Sequence, residues 1–69
     1  DDYETAAAAY EQVLEGVPAD FSALYGLAQA YEGLGRTADA LSYARRALAA
    51  APADKTAEVQ ALVDRLEAP

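Results

Sequence analysis

Glu11 and Glu15 stand one helical turn apart, a spacing at which two carboxylates can share a proton or hold a cation weakly. Acidic residues on a solvated helix face are routine, and that is the reading these two receive. No His and no Cys occurs, which removes together the commonest general base, the thiolate nucleophile and the transition-metal ligands. The glycines compose neither a Gly-x-Gly-x-x-Gly phosphate cradle nor a Walker loop, and Lys55 is the only lysine. Arg45 and Arg46, with Arg36 nearby in sequence, are the one basic cluster. It could draw an acidic partner but is read as a solvated outer face. No catalytic residue, metal site or cofactor is expected, and the chain reads as a non-enzyme.

Composition narrows the partners. At 69 residues the chain has room for one small domain, which buries roughly 60% of the surface its unfolded form exposes, too little for a deep catalytic cleft. Twelve Asp and Glu against five Lys and Arg give a formal charge of −7, which repels a nucleic-acid backbone and an anionic membrane surface alike. No apolar run approaches the ~20 residues a spanning helix needs. A soluble chain is expected, favouring the cytoplasm but leaving the compartment open, since without Cys the redox state leaves no mark. The opening Asp1-Asp2, with no Met and no leader, suits an excised or processed segment.

The elements that must position any functional residue follow from Gly and Pro. Val17-Pro18-Ala19-Asp20, Gly35-Arg36 and Pro52-Ala53-Asp54 divide the sequence into segments of about 3–16, 21–34, 37–51 and 55–67. Each is rich in Ala, Leu, Glu, Gln and Arg, so four helices are predicted, with Asp20, Thr37 and Asp54 placed to cap the second, third and fourth. Leu24, Leu27, Ala28, Tyr31 and Leu34 recur at three- and four-residue intervals and mark the second helix's core stripe. Ala40, Leu41, Ala44, Ala47, Leu48 and Ala51 do so in the third, and Val59, Leu62, Val63 and Leu66 in the fourth. Short turns make consecutive helices antiparallel. The predicted class is all-α.

A shift of 34 residues superposes Ala6 on Ala40, Leu14 on Leu48, and Pro18-Ala19-Asp20 on Pro52-Ala53-Asp54. Between the prolines the chain reads Leu24-x-x-Leu27-Ala28-x-x-Tyr31, then Ala40-x-x-x-Ala44, then Pro52, which resembles the tetratricopeptide repeat in length and pattern. Leu24 replaces the family's Trp, Ala28 its Gly, and Ala44 its Phe, an aromatic knob that Tyr43 or a larger neighbour can restore. The preceding half unit keeps an aromatic, with Ala6-x-x-x-Tyr10 before Pro18. The resemblance covers residues 2 to 54 and implies an α-solenoid fragment of antiparallel helix-turn-helix repeats. It divides a single helical domain, 1–69, into the second helix of an incomplete repeat (1–18), a complete repeat (19–52) and a capping helix (53–69). The fourth helix matches the second at a shift of 35 rather than 34, which leaves Arg65 where the strict shift wants Tyr. Terminal repeats are atypical because they face water, so this helix is expected to be a natural C-terminal end.

The resemblance implies a protein or peptide partner bound by first helices along a concave face. Beside the core stripe, Ser22, Tyr25, Gly26, Gln29 and Glu32 are the candidate partner-binding residues, with Gly33 on the same stripe. Tyr25 offers a large apolar area with a polar tip, or packs against a neighbouring helix. Gly26, costing roughly 1 kcal/mol against Ala, serves close approach either of a partner chain or of a helix within the fold. Lys, Arg and Asn are missing from the stripe, so no carboxylate clamp is expected. The first helix lacks its usual partner, and Ala6, Ala9, Tyr10 and Val13, with Leu14, are the candidate self-association face of a homo-oligomer or of a junction with upstream repeats. A regulatory tail of a larger enzyme is a third reading.

Overall fold

The four segments are all helical. A computed structural model describes residues 2–68, among which run α1 (Tyr3–Gly16), α2 (Phe21–Gly33), α3 (Thr37–Ala50) and α4 (Thr56–Glu67), with no strand. α2 packs against both α1 and α3, and α3 in turn packs against α4.

Local chemistry sets the boundaries. Asp20 caps α2, the N–H of Ala23 donating to its Oδ1 at 2.9 Å. The other two expected caps are corrected. Thr37 is already the first helical residue of α3, so Arg36 takes the capping position and makes no side-chain bond there. Asp54 falls one residue too early, inside a turn that the Lys55 N–H closes on the Pro52 carbonyl at 2.9 Å, and α4 starts after Lys55. A cap that the spacing argument passed over opens α1. Asp2 accepts from the Thr5 hydroxyl and from the Thr5 N–H, the latter at 3.0 Å, and these two bonds hold its carboxyl below the ordinary range.

Gly35, at φ +78°, closes α2 in the left-handed conformation that a side chain would resist. The Arg36 N–H reaches the Tyr31 carbonyl at 2.9 Å and the Gly35 N–H reaches that of Glu32 at 3.0 Å, the two bonds of a Schellman motif. The contact that accompanies this motif is here a guanidinium over a ring, Arg36 lying 4.4 Å from the Tyr31 centroid. A backbone turn and a side-chain stack therefore fix the α2–α3 joint together.

The core follows the predicted stripes. Leu24, Leu27, Ala28 and Tyr31 of α2, Ala40, Ala44 and Ala47 of α3, and Val59, Leu62, Val63 and Leu66 of α4 are all buried, while Leu34, Leu41, Leu48 and Ala51 of the same stripes are half-buried against them. The alanines of α3 let the helices approach closely, and Tyr43 supplies the aromatic that Ala44 lacks, its ring 5.7 Å from that of Tyr31. In α4 it is Leu66 that enters the core while Arg65 stays outside, as the 35-residue shift requires.

α1 differs from its expected pattern. Its one buried residue is Ala7, absent from the predicted face. Ala6, Tyr10 and Leu14 are half-buried against the core, whereas Ala9 and Val13 are exposed. Two of its rings sit directly on glycines of α2. An added Cβ on Gly26 would lie 2.3 Å from the Tyr10 ring, and one on Gly33 would lie 2.5 Å from the Tyr3 ring. Both glycines thus serve helix contact within the fold.

Candidate functional site

Side chains of α2 and α4 meet across a shared face. The Tyr25 hydroxyl donates to Glu58 Oε2 at 3.2 Å, and Arg65 grips Glu32 with two bonds, Nε to Oε2 at 2.8 Å and Nη2 to Oε1 at 2.9 Å. These bonds hold the Glu32 carboxyl below its ordinary range. Burial, followed by the carboxylate of Glu58, pushes the Tyr25 phenol up. Phe21 stacks on Tyr25 with centroids 5.6 Å apart and planes 18° off parallel. That places two rings side by side on the same helix, where the i, i+4 relation brings neighbours together.

Above these rings lies a cleft of about 260 Å³. Ser22, Tyr25, Gly26 and Gln29, four of the five candidate partner-binding residues, line it together with Tyr10, Phe21, Lys55 and Glu58. Glu32 is on the same helix but outside the cleft, held by Arg65 instead. Lys55, Glu58 and Phe21 were missed in the sequence. Lys55 and Glu58 sit on α4 and the turn before it, and only the pairing of α4 beside α2 brings them in. The 33-residue separation of Tyr25 and Glu58, one short of the repeat length, was the available signal.

The family model of the tetratricopeptide repeat matches residues 1–55. This chain belongs to the tetratricopeptide-repeat family. Neither a curated protein nor a solved structure matches it. Tetratricopeptide repeats are in general protein–protein interaction modules, and among the described residues no helix is long and apolar enough to cross a membrane.

Glu15 and the three arginines of this tetratricopeptide chain are exposed, as their sequence reading expects, whereas Glu11 has a further role. Glu11 does not pair with Glu15. It accepts a hydrogen bond from the buried Tyr31 hydroxyl, and this bond, with burial second, pushes the Tyr31 phenol up to about 12. No group of three or more potential metal ligands occurs among the described residues. The three arginines do not act as one cluster. Arg36 pairs with Asp39 at 2.8 Å, Arg45 with Glu67 at 2.6 Å, and Arg46 donates to the Pro18 carbonyl at 3.2 Å while lying over the Tyr43 ring. The first is local to the start of α3, the second joins α3 to α4 and the third joins α3 to the α1–α2 turn, and exposed ion pairs of this kind contribute at most about 1 kcal/mol.

Proposed function

We propose that this chain is a non-catalytic interaction module that binds a peptide or helix of a partner protein on the face shared by α2 and α4. Residues 19–52 form the complete repeat, 1–18 the second helix of an incomplete one, and 53–69 the cap. The observation that carries the reading is the cleft itself, in which half-buried Tyr25 and exposed Ser22 and Gln29 converge beside a stacked Phe21. Affinity at such sites comes from a few aromatic anchors rather than from area.

Selection of a random 12-residue peptide display library on the immobilised chain tests this. Peptides that enrich should bind at least tenfold more weakly to Tyr25→Ala and to Gln29→Ala, with unchanged helicity by circular dichroism. Equal binding to both variants would move the site elsewhere, and unfolding of Tyr25→Ala would make Tyr25 a core residue.

A second reading rests on α1 and its C-cap, where Ala9 is exposed, Val13 is 45% exposed and Val17 54%. Under it the chain self-associates through that flank. Light scattering over a hundredfold concentration range separates the two readings. A constant mass near 7.2 kDa favours the cleft, and a rising mass that Val13→Glu abolishes favours assembly.

A further inference from the structure

The charges on the α2–α4 face cancel one another locally, which is unusual in a chain that carries −7. Lys55 lies 3.9 Å from Glu58, whose other oxygen accepts from Tyr25, and Glu32 is taken at both oxygens by Arg65. Two cations and two anions thus sum to zero, and each already has a partner within the molecule. A cationic ligand group would compete with Arg65 for Glu32, and at Glu58 with Lys55 and the Tyr25 hydroxyl. An anionic one would meet Glu58 and Glu32 beside either cation and would also approach against the net charge of the whole chain.

What the face leaves unpaired is neutral. The stacked rings of Phe21 and Tyr25 offer apolar area, and Gln29 is exposed with no side-chain hydrogen bond among the described residues. Its amide carries both a donor and an acceptor, the complement of a peptide group. At about 260 Å³ the cleft is smaller than the ~300–1,000 Å³ of a site for a drug-sized molecule, a size that suits a single side chain and its peptide unit.

Resting on the proposed binding role of this face, we infer that its occupant is an uncharged segment of a partner protein: one aromatic or branched apolar side chain set against Phe21 and Tyr25, with an adjoining peptide group read by Gln29. A chain-terminal carboxylate and a lysine or arginine side chain are both disfavoured as the anchor. Recognition is consequently insensitive to salt, since no net charge is neutralised on binding.

Three probes of one shape test the inference by NMR titration of the ¹⁵N-labelled chain at pH 6: N-acetyl-phenylalanine methylamide, N-acetyl-phenylalanine with its free carboxylate, and phenylalanine methylamide with its free ammonium. The neutral probe should shift the amides of Ser22, Tyr25 and Gly26 and the side-chain amide of Gln29. It should bind at least threefold more tightly than either charged probe, change less than twofold between 20 and 500 mM NaCl, and weaken severalfold on Gln29→Ala. Tighter or equal binding of a charged probe, or a tenfold loss in salt, overturns the neutral-ligand inference and leaves the binding face in place. Failure of all three probes to shift these residues overturns the face and the inference together.

Discussion

Of its fourteen residues α1 buries only Ala7, whereas α4, with twelve, buries Val59, Leu62, Val63 and Leu66. A fully buried branched side chain contributes roughly 1.5–3 kcal/mol and a buried methyl about 0.8, so α4 is set by fully buried side chains, whereas α1 depends on Ala6, Tyr10 and Leu14, which are only half-buried against the core. Their outer sides differ as well. α4 turns Gln60 and Asp64 outward, joined by a 2.9 Å hydrogen bond, while α1 leaves Ala9 and Val13 uncovered. Helix propensity, similarly high in both, therefore says little about which end of the molecule is held. Burial decides it, and α1 is the element expected to open first.

The largest test removes the stronger anchor. Leu62→Ala should cost about 2–5 kcal/mol, a large part of the stability of so small a domain, and lower the melting temperature by roughly 10 °C or more in a circular-dichroism melt. A shift of a degree or two would mean α4 is not docked as described.

A smaller effect attaches to the bond between Glu11 of α1 and Tyr31 of α2. Because folding raises the Tyr31 phenol from 10.0 to about 12, the folded state holds this proton more tightly. Its contribution is whole below pH 10 and is lost as pH rises through 12. Tyr31→Phe should be about 1 kcal/mol less stable than the parent at pH 8 by urea titration, and the gap should close in alkali. A gap that persists above pH 12 would locate the loss in packing instead.

Gly16 at the end of α1 and Gly26 on the facing α2 answer differently. Nothing lies within 4 Å of a Cβ added to Gly16, so Gly16→Ala should stabilise by about 0.4–1 kcal/mol in a thermal melt. Gly26→Ala gains the same propensity but displaces the Tyr10 ring, so its net stability should change little while α1 amides exchange hydrogen faster. Equal protection in both variants would show that Tyr10 is not what seats α1. The smallest effect belongs to Val13→Ser, expected within about 0.5 kcal/mol because the residue already faces water. A clear loss would show that another copy covers it.

The helices, their boundaries to within a residue and three of their core stripes were legible because Pro and all the glycines but Gly26 fall at or beside the turns and large apolar residues recur at helical intervals. α1 misled for a physical reason: in a run of four alanines, Ala6 to Ala9, composition does not say which methyl faces inward. The answer came from Tyr3 and Tyr10, whose rings need glycines on the facing helix. Thr37 and Asp54 looked like caps because their residue types are right, but a helix start moved by one residue redirects the side chain. Four cleft residues could be read from a single stripe of α2. The pairing of Tyr25 with Glu58 and of Glu32 with Arg65 could not, because each joins helices through a partner 33 positions away.

The rings of Tyr3 and Tyr10 are seven residues apart on α1, and the glycines beneath them, Gly33 and Gly26, are seven apart on α2. Two rings and two gaps at one spacing act as a two-toothed key. Sliding α1 by a single turn, about 5.4 Å, would carry both rings off their glycines and onto positions such as Ala30 that have methyl groups in the way. A weakly buried helix can thus detach and return, yet it can seat fully at only one station along its neighbour.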